Sequence, residues 1–174
     1  MISPQWTTGI SLAVFTTASS IMLPLQADDR VAQVTDKSYL EECGACHFAY
    51  QPEFLPARSW QKMMGGLEDH FGENAELDTE LQTALTQFLT ANASDQVKTK
   101  TTKKFRRGIS ESTPLRITEI PYFKHEHEEI PAKMVTQNPE VKSLSYCNKC
   151  HTKAETGNYD EESISIPGFG RWDD

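Results

Sequence analysis

The chain has only four cysteines, and all four lie in two copies of one pentapeptide: Cys43-Gly44-Ala45-Cys46-His47 and Cys147-Asn148-Lys149-Cys150-His151. No thiol is left for a separate disulfide, so both copies serve one kind of chemistry. Three kinds use C-x-x-C. Thiol exchange cycles a dithiol against a disulfide, comes with a βαβ pattern and needs no adjacent histidine. A zinc Cys₄ site usually separates its two pairs by about 15–20 residues, whereas here the gap is roughly a hundred. Covalent haem attachment needs the whole pentapeptide: each thiol adds across a vinyl group, and the neighbouring histidine coordinates the iron. Only the third reading uses every residue of the repeat. It assigns Cys43, Cys46 and His47 to one haem c, and Cys147, Cys150 and His151 to another.

Such haem is attached outside the bacterial cytoplasm, and the start of the chain agrees. No Asp, Glu, Lys or Arg precedes Asp28, and Ile10 to Leu25 is mostly small and apolar. Leu25-Gln26-Ala27 ends on a small residue, as a signal-peptidase site does. The segment lacks the usual basic start. Read instead as an uncleaved anchor, its Ser, Thr and Pro24 make a span of about 20 apolar residues marginal. The expectation is a signal peptide over 1–27 and a periplasmic location, with no membrane span after cleavage.

A hydrophobic content of 37 % and a mean hydropathy of −0.55 leave little apolar material for a core. Two macrocycles would supply the missing surface, because cofactor binding couples to folding. The net charge of −8 argues against nucleic acid as a partner. Within this acidic chain, residues 97–108 hold Lys98, Lys100, Lys103, Lys104, Arg106 and Arg107 and no acid. The plain reading is a solvated linker over 97–113 between an N-terminal haem domain, 28–96, and a C-terminal one, 114–174. The sharper readings are a docking patch for an acidic partner or a lid pairing with haem propionates. The residues flanking the two pentapeptides do not match, so the halves are not duplicates.

Periodicity predicts a mainly α fold: a small helical, cytochrome c-like N-terminal domain, a loop-rich C-terminal domain, and little or no β. A short helix over 36–47 delivers the first motif. Ser59 caps a helix on which Trp60, Met63, Met64, Leu67, His70 and Phe71 share a face. Gly65 and Gly66, each costing about 1 kcal/mol in a helix, mark a bend or a flat ring close to the backbone. Asp78 caps another helix, with Leu81, Ala84, Leu85, Phe88 and Leu89 inward. Residues 114–139 read as loop with extended pieces, and VKSLSYCNKCH ends a short helix.

Each iron bound by His47 or His151 has one further axial position, filled by a side chain or left for a gas or substrate. His70 lies on the apolar face near the first motif, with Met63 and Met64 as competitors. His125 and His127 are two apart, so in an extended segment they point opposite ways and only one reaches the second iron. Met134 is the outside candidate.

Three strings resemble the bacterial dihaem cytochromes c of the DHC type: YLEECGACHFAYQPEFLPARSWQKMMGGLEDHFGENAELD, RITEIPYFKHEHEEIP and VKSLSYCNKCHTKAETGNYDEESISIPGFG. They span most of the chain beyond the leader, apart from the basic stretch. The resemblance implies a periplasmic electron carrier, not an enzyme, with two bis-histidine haems of low potential. It implies His70 as the first distal ligand. For the second it implies His127, the histidine of P-x-F-x-x-x-H over Pro121, Phe123 and His127, with His125 as the alternative. It also implies redox partners, a membrane b-type cytochrome as donor and a small oxygen-binding monohaem cytochrome as acceptor, and a monomeric carrier. The alternatives are a dihaem subunit of a periplasmic reductase such as nitrate reductase, and a haem enzyme or gas-binding protein with one five-coordinate iron.

Overall fold

The computed structural model describes residues 29–109 and 112–172; the expected signal peptide lies outside them. Helix α1 spans Lys37–Gly44, where Asp36 Oδ1 accepts the Tyr39 N–H at 2.9 Å. Tyr39, 2 % exposed, fixes α1 to the core, and its hydroxyl donates to Tyr50 O. The helix ends inside the first motif, so Cys46 and His47 lie beyond it.

Helix α2, Ala57–Met64, differs from the expectation at both ends. Its N-cap is Pro56, not Ser59, which lies fully buried inside the helix. The Ala57 N–H is instead satisfied by Asp95 Oδ1 at 2.9 Å, a cap supplied from far along the chain. The expected continuous helix through Phe71 stops at Gly65. The two glycines end it, and a single 3₁₀ turn, Leu67–Asp69, follows. His70 therefore leaves the turn with φ −80° and ψ 78°. Helix α3, Thr79–Ala91, is capped by Asp78 Oδ1 on Leu81 N–H at 3.0 Å. Leu85 and Leu89 are buried on its inner face, Leu81 and Phe88 pack at the margin, and Ala84 faces outward. Gln82 of α3 donates to Met64 O and so closes the end of α2.

The basic stretch is helical: α4 spans Lys100–Arg106. A helix this short is marginal alone. Two features hold it: a reciprocal capping box between Thr99 and Thr102, and a buried face of Thr101, Thr102 and Phe105. Phe105 packs on Phe54 at 4.8 Å and edge-on to Tyr122 at 5.1 Å. The charges hide this apolar stripe from a composition-based reading. Helix α5, Pro121–His127, also replaces expected extended chain, with Pro121 opening it. The second motif sits in a 3₁₀ turn, Cys147–Lys149, rather than at the end of an α-helix. Strands β1 (Ser165–Ile166) and β2 (Gly170–Arg171) pair antiparallel, Ser165 with Arg171 and Ile166 with Gly170.

One apolar cluster includes Val31, Tyr39, Leu55, Trp60, Leu85, Phe105, Ile120 and Phe123, taken from both sides of the basic stretch. A smaller one holds Val135, Val141 and Ile166. Among the described residues no helix is long and apolar enough to cross a membrane.

The N-terminal segment is laid against the C-terminal one at Gly157, whose carbonyl accepts the Val31 N–H at 3.0 Å. Gly157 has φ +74°, and a Cβ there would overlap the Val31 carbonyl. Gly168 has a similar φ of +76° with open space around it. Gly168→Ala should cost only the left-handed backbone strain, about 1–2 kcal/mol. Gly157→Ala should cost clearly more in thermal unfolding of the haem-loaded protein. Equal losses would show that the Val31 contact contributes nothing.

Candidate haem-binding sites

His47 is fixed by its own neighbour: its Nδ1–H donates to Phe48 O at 2.7 Å, leaving Nε2 for a metal. The turn after Gly66 brings His70 opposite it, with ring centres 6.0 Å apart and planes 19° apart. His127 is fixed from within α5. Its ring stacks on Phe123 at 4.0 Å, and its Nδ1–H donates to Phe123 O at 2.8 Å. It faces His151 at 6.2 Å between ring centres, with planes 65° apart. Two imidazoles on opposite sides of one metal, each about 2 Å from it, put their ring centres about 6 Å apart. The two ring planes then share an axis, so the angle between them is free.

The competing candidates lie elsewhere. Met64 is buried in the main cluster and Met63 packs against it, while Met134 packs against the smaller one. His125 is two residues from His127 on a helix, hence roughly 200° round its axis. Its side chain is 75 % exposed and meets Glu128 Oε1 at 3.1 Å. The expected opposition of the two histidines is present, arising from a helix rather than from extended chain.

Burial suits His151 and His70 to a metal. It lowers the His151 pKa to about 4, with His127 adding to the effect, and lowers that of His70 with help from His47 and Arg116. Neutral imidazole is the ligand form. The thiols move the other way. Burial raises Cys43 to about 11 and Cys147 to about 12, the reverse of the lowered pKa of an exchange-active thiol. Among the described residues no three His, Cys, Asp or Glu side chains converge as a metal site. A haem iron takes only two protein ligands, and half-buried His151, whose Nδ1 is inaccessible and has no hydrogen-bond partner among the described residues, lines a cleft.

That cleft is lined by His127, Cys147, Cys150 and His151 together with Phe123, Ile164, Ile166 and Trp172. The groove along Cys46 and His47 is walled by Val34, Leu40 and Ala49 and also by Tyr146, just before the second motif, and Asn148 and Lys149 within it. The two sites are therefore neighbours. Tyr50, near-parallel to His47 at 5.2 Å, donates to Ser145 O at 2.8 Å. Gln51, 1 % exposed, donates to Ala154 O at 2.7 Å and accepts from the Tyr159 hydroxyl at 2.6 Å. Tyr159 in turn lies against His151 at 5.1 Å. Tyr50, Gln51 and Tyr159 were not picked out from sequence. No local pattern joins them, because Tyr159 is over a hundred residues from its partner.

The dihaem cytochrome c family model matches residues 39–159. The chain belongs to that family. A dihaem cytochrome c from Shewanella baltica is 40 % identical, covering 79 % of this chain and 97 % of its own, with a TM-score of 0.65. One from Rhodobacter sphaeroides is also 40 % identical, covering 74 % of this chain and 100 % of its own, with a TM-score of 0.67. A second Rhodobacter sphaeroides structure gives 39 % identity, 73 % and 99 % coverage, and a TM-score of 0.58. No curated protein matches. As a dihaem cytochrome c the chain carries two covalently bound haem c groups, and the two histidine pairs and two C-x-x-C pairs fit that content.

The geometry separates the two close histidines. His127→Ala should give a high-spin signal from one of the two haems in the oxidised spectrum, while His125→Ala should leave that spectrum unchanged. A reversed result would assign the ligand to His125. Tyr159→Phe removes the hydroxyl that ties the His151 neighbour to Gln51. It should shift the low-temperature EPR g-values of one haem and leave those of the other in place.

Proposed function

We propose that this dihaem cytochrome c is a periplasmic electron carrier in which both irons are six-coordinate through two histidines. Cys43 and Cys46 form the thioethers of the first haem, with His47 and His70 as its axial ligands. Cys147 and Cys150 hold the second, with His151 and His127. The observation that carries the assignment is the pair of ring separations, 6.0 and 6.2 Å.

The bound haems supply one-electron exchange at iron. The chain's part is to hold both imidazoles of each pair, orient them and limit water. Phe48 O and Phe123 O fix one ring in each pair through its Nδ1–H, which also strengthens the imidazole as a donor. Bis-imidazole ligation leaves no open position for a gas or substrate, which is why a carrier is favoured over a peroxidase or gas-binding protein. The partners in this reading are other redox proteins, a membrane b-type cytochrome as donor and a small haem protein as acceptor. The carrier itself is exported with removal of residues 1–27 and acts as a monomer.

Low-temperature EPR of the oxidised protein should show two low-spin ferric signals of the bis-histidine kind, and the reduced protein should bind no carbon monoxide. His70→Ala should admit about one equivalent of carbon monoxide per chain. A His/Met or five-coordinate signal in the unaltered protein would overturn the ligand assignment. An N-terminus other than Asp28 in protein recovered from the periplasm would overturn the cleavage site.

A further inference from the structure

Helix α4 has two unlike sides. Its buried face puts Thr101 and Phe105 on the wall of the cleft that contains His127 and His151. Phe105 also packs against Tyr122 of α5, the helix that bears His127. On the outer side Lys103 and Arg106 are exposed and, three apart on the helix, are neighbours; exposed Arg107 follows as the extended C-cap. No acidic residue lies between 97 and 108. Asp29 is held by Lys104 at 2.8 Å, and this cation also lies over the Tyr122 ring at 5.4 Å. Lys104 thus ties the helix down, while Lys103 and Arg107 lie exposed and Arg106, also exposed, donates back to Thr102 O at 3.4 Å.

We propose that this outer face of α4 is the docking surface for a redox partner with an acidic surface. The proposal rests on the electron-carrier reading and names the face that carrier uses. Charge complementarity selects the partner. On a chain of net charge −8, a basic patch steers an acidic surface to one place and the remaining charge repels it elsewhere. Position makes the encounter useful. A helix with its side chains is about 10–12 Å across, so a partner seated on α4 is one helix thickness from the second haem cleft. An anionic membrane would find the same charges, and the test tells the two apart.

The test uses the haem-loaded full chain, unaltered, and two triple variants: Lys103→Glu/Arg106→Glu/Arg107→Glu, and the milder Lys103→Gln/Arg106→Gln/Arg107→Gln. Reduced protein is oxidised by ferricyanide, an anion, in a stopped-flow instrument, with hexaammineruthenium(III) as the cationic counterpart. Poly-L-glutamate serves as the acidic polypeptide. For the unaltered protein, ferricyanide oxidation should slow as salt rises, and poly-L-glutamate should inhibit it. Charge reversal should slow it roughly tenfold at low salt, abolish the inhibition and speed the reaction with the cationic reagent. The Gln variant should fall between. Unchanged rates and inhibition in both variants, with haem content and potentials intact, would overturn the docking surface and leave the carrier reading standing. Failure of the unaltered protein, once oxidised by either reagent, to return to its reduced spectrum on adding dithionite would overturn the carrier reading itself. Binding to phosphatidylglycerol vesicles that the variants lose, with poly-L-glutamate inhibition absent throughout, would assign the face to a membrane and overturn a protein partner.

Discussion

Two imidazoles share one iron only if the chain holds their ring centres about 6 Å apart, and this fold meets that spacing twice by unlike means. At the first site the backbone does it. Helix α2 is cut off by Gly65 and Gly66, a 3₁₀ turn reverses the chain, and His70 comes to face His47. At the second site a side chain does it. Phe123, one turn earlier on α5, both stacks on His127 and accepts its Nδ1–H. The remaining packing serves these placements: α3 closes the end of α2 through Gln82, and α4 braces α5 through Phe105.

The attachment motifs were legible because they are local: five adjacent residues state the whole requirement. For the two candidate distal histidines the local geometry differs from what periodicity predicts. His70 was placed on a helical face, yet it lies beyond the helix. The glycines that looked like a bend or a flat neighbour are the stop that frees it. His127 was set against His125 on extended chain, yet the segment is helical. Two residues apart point in opposed directions in both geometries, so the two side chains diverge either way. The basic stretch misled because charge dominates its composition, while a three-residue inner face of Thr101, Thr102 and Phe105 decides its structure. Gln51 and Tyr159 could not be read from one sequence, since each needs the other's fold to have meaning.

The modest apolar content is used economically. The main cluster gathers Tyr39 and Leu55 with Ile120 and Phe123, so the region around the first motif and helix α5 share one core. Polar groups complete the joint. Gln51, nearly inaccessible, satisfies both its amide ends across it, on Ala154 O and the Tyr159 hydroxyl. Buried amides are tolerated when fully bonded in this way, and such a residue specifies how the two parts meet as well as that they meet.

The groove beside His47 is walled in part by Tyr146, Asn148 and Lys149. The surroundings of the first motif are therefore completed by residues about a hundred positions downstream of it. Contacts of that sequence separation are gained only after a long loop has been closed, so this groove is complete only once distant parts of the chain have folded together.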